Sequence, residues 1–166
     1  MEPRHARDAV AAHLDGQDIV ILNDADAAGL AEARFGAGRD HAGVVVLLTF
    51  GTGIGSAVIH NGKLLPNTEL GHIEVGGKEA EQRAAASVKE RKNWSMAKWA
   101  KQVTLVLTAV EDALCPDLII VGGGISRKAD RWVPLLTNRT PVVAATLQNS
   151  AGIVGAAMAS SSDVTH

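Results

Sequence analysis

Residues 43–65, GVVVLLTFGTGIGSAVIHNGKLL, set two apolar runs around a glycine-rich bend and then close on an Asn-Gly pair. A run of eight residues dominated by valine and leucine, GVVVLLTF (43–50), reads as a buried strand. GTGIG (51–55) turns the chain, SAVIH (56–60) reads as a further strand, and Asn61-Gly62 is a strong hairpin signal into KLL. An antiparallel hairpin of this kind is foreign to a purely parallel doubly-wound sheet, so the expectation is α/β with a mixed central sheet flanked by helices.

The remaining segments fit around that sheet. DIVIL (18–22) reads as a strand and DAAGLAEARFG (26–36) as a helix stopping at Gly36; residues 4–14 could form a short amphipathic helix. Residues 79–91 look helical. From Ser95 to Leu114 the apolar positions Met96, Trp99, Val103, Val106, Leu107, Val110 and Leu114 recur at helical spacing, and Pro116 ends the helix. DLIIV (117–121) is another strand, GGG (122–124) precedes an expected helix through Leu136, PVVAA is short and extended, and SAGIVGAAMAS (150–160) is a small-residue helix. The tail, 161–166, is expected to fray.

Composition excludes several classes. The formal charge of -2 gives no reason to expect nucleic acid or an anionic membrane as partner. The single Cys115 excludes an internal disulfide framework and a multi-cysteine zinc site, and suits a reducing, cytoplasmic setting. The start, MEPRHARD, lacks the apolar core of a secretory signal, and no apolar run is long enough to cross a bilayer. Residues 77–101 hold seven Lys/Arg against three Glu; that excess could steer a polyanion, or be a solvated helix face.

Two glycine loops are candidate phosphate sites. FGTGIGSAVI lacks the Lys-Ser/Thr of a P-loop and the following helix of a dinucleotide fingerprint, leaving a bend that could aim backbone N–H groups at an anion or merely permit tight geometry. LIIVGGGISRKAD runs from strand through three glycines toward a helix, an arrangement that favours an anion at the helix N-terminus, with Ser126 as cap or ligand contact. Between them, NTELGHIE (67–74) carries Glu69 and His72 three residues apart, with Glu81 further on. These groups suit sugar hydroxyls, which both donate and accept; a solvated loop is the plain alternative. In VILNDADAAG, Asp24 is a good N-cap and Asp26 sits where a helix dipole welcomes an acid.

Taken together and in order, NDADAAG, LTFGTGIGSAVIHNGKLLPNTELGH, LIIVGGGISRK and the closing AGIVGAA resemble the ROK sugar kinases, most closely the bacterial polyphosphate glucokinase subgroup. The resemblance implies an actin-like ATPase (ribonuclease H-like) domain that moves a phosphoryl group from polyphosphate or ATP to the 6-hydroxyl of glucose. It implies Asp24 as general base, with Asn23, Glu69, His72 and less certainly Glu81 on the sugar. Gly51, Thr52 and Gly53 would form one phosphate loop, and Gly122, Gly123 and Gly124 the nucleotide-side loop or the flank of a polyphosphate channel. Mg2+ is expected with the donor, zinc is not, and a homodimer is a family expectation. The segment after Gly71-His72 has none of the cysteines that bind zinc in many relatives. The Asp-x-Gly-Gly-Ser/Thr loop that opens the family's small lobe is also missing, since only 23 residues precede Asp24. Residues 1–160 therefore look like the large C-terminal lobe. The alternatives are a non-catalytic sugar-binding or dimerising module, or a kinase for another hexose.

Overall fold

The computed structural model describes residues 21–159. The expected helix at 4–14, residues 18–20 of DIVIL and the tail at 161–166 lie outside them. Ile21 and Leu22, the described end of DIVIL, are not in a strand.

Five strands make one mixed sheet in the order β3-β2-β1-β4-β5, with β1 Val44–Phe50, β2 Ile54–His60, β3 Lys63–Leu65, β4 Leu118–Gly122 and β5 Val142–Ala144. β1–β2 and β2–β3 run antiparallel, while β1–β4 and β4–β5 run parallel. The hairpin expected at Asn61-Gly62 is present: both residues have positive φ, 51° and 76°, which a two-residue primed turn demands. β2 begins at Ile54 rather than Ser56, so the glycine bend shrinks to Gly51–Gly53 and Gly55 pairs with Thr49 inside the ladder.

Alternation along β1 divides the core. Val46, Leu48 and Phe50 point to one face, where they meet Trp99, Val103, Val106, Leu107 and Val110 of the helix α4 (Met96–Leu114). Val45 and Leu47 point to the other face, with Ala57, Ile59, Leu118 and Ile120, under the helix α1 (Asp24–Phe35). The helix α5 (Ala151–Ala159) lies on α1, and both contacts of α1 depend on glycine. A Cβ on Gly29 would lie 2.5 Å from the Ala57 Cβ, and one on Gly155 would strike the Ala27 carbonyl.

Helix boundaries differ from expectation in three places. α1 starts at Asp24 with Asn23 as its N-cap, the Asn23 Oδ1 accepting from the Asp26 N–H at 2.6 Å. Asp24 is thus the first helical residue and not the cap. Residues 79–91 form two short helices, α2 (Ala80–Ala84) and α3 (Ala86–Arg91), broken at Ala85 by an extended ψ of 150°. After the triple glycine the chain makes 3-10 turns over Gly124–Arg131 and Val133–Leu135 instead of an α-helix through Leu136.

Two fully buried glutamates act as clasps. Glu32 accepts from Ala37 N, Thr146 Oγ1 and Leu147 N, joining α1 to the segment before α5. Glu111, on α4, accepts from Asn138 Nδ2 at 2.9 Å and Thr140 N at 2.5 Å, with Arg139 Nε 3.5 Å away. Burial pushes the Glu111 pKa up, but the bonds from Asn138, Thr140 and Arg139 outweigh it and hold it at about 2, below the ordinary 4.5. A depressed carboxyl contributes stability that is complete above the unfolded value and lost as pH falls through the folded one. Glu111→Gln is therefore expected to lower stability by on the order of 2–3 kcal/mol at pH 7. The gap to the parent should close between about pH 4.5 and pH 2, as followed by denaturant unfolding across that range.

Candidate active site

α1 delivers its first residues to the end of the sheet where β2 starts, and the Ala25 Cβ there would stand 3.1 Å from a Cβ on Gly55. Asn23 is tied up as the cap, while Asp24 is exposed, one oxygen accepting from Ala25 N at 2.9 Å. A negative charge in the first turn of a helix interacts favourably with the helix dipole.

The loop from β3 to α2 holds the other acids and the imidazole. Ser56, buried in β2, pins it: its Oγ donates to Thr68 O at 2.7 Å and accepts from Leu70 N at 2.9 Å. Gly71 passes so close to the Ile54 carbonyl that any Cβ would collide with it. Glu69 and His72 flank that crossing and are exposed. His72 Nδ1 faces Glu79 Oε1 at 3.7 Å, leaving Nε2 for another partner. His72, Glu79 and Glu81 each offer an atom within 4.8 Å of the others. Glu81 lies over the first glycine loop, where its Oε2 would be 2.4 Å or so from a Cβ on Gly53 if one were present. The structure thus brings His72 and Glu81 together with the first loop. It adds Glu79, which sequence reasoning passed over; its only signal was its place beside Glu81 in the KEAE segment.

The two glycine loops meet at the ends of β1 and β4, since Gly123 lies against the backbone of Phe50. In the first loop Gly51 N donates to Gly53 O, and Ser87 of α3 donates through its hydroxyl to Thr52 O at 2.7 Å. The Gly51 amide is therefore spent within the loop. In the second, Ser126 is buried and donates through both N and Oγ to Gly123 O, so it closes the turn. Gly124 is shared by two clefts. One, of about 100 Å³, lies on the α1 side between Thr49, Gly122–Gly124, Arg127 and Gln148. The other, about 310 Å³, lies on the α3 side between Phe50–Thr52, Ser87, Lys89, Glu90 and Lys128.

That second cleft divides the basic run at 77–101. Lys78, Arg91, Lys92, Lys98 and Lys101 are exposed; Arg83 holds the Val75 and Gly76 carbonyls and Gln102; Lys89 is half-buried at the cleft. Lys92 and Lys98 lie over the Trp94 ring, 4.7 and 5.3 Å from its centroid, while Trp99 is core as expected. Among the described residues no helix is long and apolar enough to cross a membrane.

The chain is similar to known sugar kinases. The ROK family model matches residues 8–87. A polyphosphate glucokinase of Mycobacterium leprae is 73% identical over 162 residues, which cover 98% of this chain and 50% of that protein. The chain thus spans about half the length of that relative. The crystal structure of an inorganic polyphosphate/ATP-glucomannokinase from Arthrobacter sp. strain KM is 50% identical and superposes with a TM-score of 0.84, covering 91% of this chain and 59% of that one. A ROK family glucokinase from Streptomyces griseus, solved with glucose and AMPPNP, is 26% identical with a TM-score of 0.71, covering 91% and 70%. The mixed sheet and helical layers of this chain are those of the actin-like ATPase fold of these sugar kinases, and its residues 8–87 match the ROK family.

Proposed function

We propose that the chain forms the sugar-holding lobe of a glucokinase that uses polyphosphate or ATP. The observation that carries this is the grouping of an exposed carboxylate at a helix N-terminus, a Glu-x-x-His loop and two touching glycine loops at one end of the sheet. The names of the relatives supply the substrate: glucose as acceptor, and a phosphate polymer or nucleotide as donor.

Phosphoryl transfer runs through a loose transition state, so positioning and charge stabilisation outweigh base strength. In this reading Glu69, His72 Nε2 and Glu81 hold the sugar hydroxyls, with Asn23 fixing the start of α1 beside them. Asp24 orients the 6-hydroxyl. The hydroxyl oxygen bonds to the terminal phosphorus as the bridging P–O bond to the donor breaks, and Asp24 takes the proton late. The donor departs one phosphate shorter. Thr52, Gly53 and the Gly122–Gly124 turn line the route of the phosphates. Mg2+ entering with the donor would neutralise charge on those phosphates.

A coupled assay for glucose 6-phosphate, run with Mg2+ and each donor, tests the reading and should show product with both. Glucose binding by calorimetry without turnover on either donor would favour a non-catalytic sugar-binding module.

The α3-side cleft supports polyphosphate as a donor, because Lys89 and Lys128 approach it from two separate segments against the single Glu90. The double variant Lys89→Gln, Lys128→Gln should raise the KM for polyphosphate by about tenfold at low salt. Steady-state kinetics should show that penalty shrinking by about 0.5 M salt, where the Debye length is short. A free, exposed Cys115 supports a reducing, cytoplasmic setting. Exposed Phe35 and Ile153, on the neighbouring helices α1 and α5, support a homodimer, which light scattering on the eluted protein would test.

A further inference from the structure

Asp26 is fully buried two residues after Asp24, yet the chemistry above gives it no part. At the third position of a helix an acid commonly turns back to bond the N–H of the N-cap residue. Asp26 does not. Its Oδ2 accepts from the backbone N–H of Asn67 at 2.9 Å, 41 residues away, and Oδ1 has no hydrogen-bond partner among the described residues. Asn67 is left-handed, φ 60°, at the point where the chain leaves β3 for Glu69. Ser56 holds the other side of the same loop through Thr68 and Leu70.

We propose that Asp26 is a positioning residue that bolts the Glu69–His72 loop to the helix carrying Asp24, and so sets the distance between sugar and base. This rests on the sugar-kinase reading of the site. Two fixings act on the loop: Ser56 secures it to the sheet, and Asp26 secures it to α1. Without Asp26, no hydrogen bond among the described residues joins the loop directly to α1. Helix and loop could then shift independently, and transfer that depends on near-attack geometry is sensitive to about 1 Å.

The bond needs an acceptor and not a charge. Burial raises the Asp26 pKa, the Asn67 bond opposes that in part, and the nearby Glu69 charge raises it further. Ionisation is therefore less favourable in the folded protein than in the unfolded chain, and its cost grows as pH rises above the ordinary value of 3.8. An asparagine keeps an acceptor for Asn67 and removes the repulsion with Glu69.

The test compares Asp26→Asn with Asp26→Ala in the full protein. Asp26→Asn should keep the glucose KM within about twofold, with a melting temperature at pH 7 no lower than the parent. Asp26→Ala should raise the glucose KM by about tenfold or more, leave the donor KM within about twofold, and speed amide exchange at Asn67 and its neighbours. An unchanged glucose KM in Asp26→Ala, an equal rise in both KM values, or an Asp26→Asn variant as impaired as the alanine would overturn the assignment. If the parent phosphorylates no glucose, the sugar-kinase reading fails on its own. The exchange rate at Asn67 then still decides the bolt: unchanged protection in Asp26→Ala refutes it.

Discussion

Asp24→Asn is expected to cut the turnover of glucose phosphorylation by about 10²–10⁴-fold while leaving the glucose KM within a few-fold. The substitution is nearly isosteric. Asparagine can still accept from the Ala25 N–H through Oδ1, the bond Asp24 makes now. What it removes is the negative oxygen that, in the proposed mechanism, orients the hydroxyl and accepts its proton, together with a favourable charge at the helix N-terminus worth about 0.3–1 kcal/mol. Stability should thus fall only slightly, and a melting curve separates that from the kinetic loss. Turnover close to the parent value would remove Asp24 from the base role and leave it a helix-terminal acid.

The second large effect is structural. Gly123→Ala should cost more than about 3 kcal/mol, a loss of roughly 6–12 °C in melting temperature for a chain of this size. Gly123 has φ 82° and ψ 174°, a backbone region open essentially to glycine alone. Its missing side chain also makes room for Phe50, whose backbone N and carbonyl carbon would each lie 2.9 Å from an added Cβ. Neither neighbour is a flexible side-chain tip, so relief requires one loop to leave the other. Donor KM should rise even in whatever folded protein remains, whereas glucose binding, seated at the Glu69–His72 loop, should be nearly spared. Thermal unfolding with parallel glucose and donor titrations checks both. Gly124, where a Cβ would meet nothing within 4 Å, is the matched control.

The sheet was legible because its signals are local. Apolar runs marked β1 and β4, and Asn61-Gly62 marked the hairpin with the dihedrals such a turn needs. The helical spacing read from Ser95 to Leu114 marks α4, which begins at Met96 with Ser95 as its N-cap. Ala85 shows where that reading stops. Alanine is the best helix former, so nothing local announces the extended ψ that splits α2 from α3. The break is made by tertiary contacts, among them Ser87 bonding the first glycine loop. The segment after the triple glycine likewise follows the demands of its turn, where Ser126 closes back on Gly123.

Site residues divide in the same way. Asp24, Glu69 and His72 become candidates only through motif order, since the plain reading of NDAD is a helix cap. Even that local reading was shifted by one residue: the cap is Asn23. The burial of Asp26, Glu32 and Glu111 could not be read from the sequence, because acids are usually exposed and each partner lies far along the chain. Lys89 was one of seven basic residues in its run, and only the meeting of α3 with the second glycine loop singles it out.

The three tryptophans of this chain give its donor side an optical signature. Trp99 and Trp132 are completely buried, with ring centroids 4.8 Å apart and planes at 66°, and Phe50 packs edge-on against both. Trp132 donates through its indole to Ile125 O, just past Gly124, and Phe50 leads straight into Gly51. The two rings that report on the core are thereby fastened to the two loops that would receive phosphate. Trp94, half-buried beneath two lysines, supplies a separate signal from the basic surface. Closing of the loops around a donor should change the near-ultraviolet circular dichroism of the buried pair, and a polyanion on the lysines should alter Trp94 emission. The protein can thus be titrated without a label.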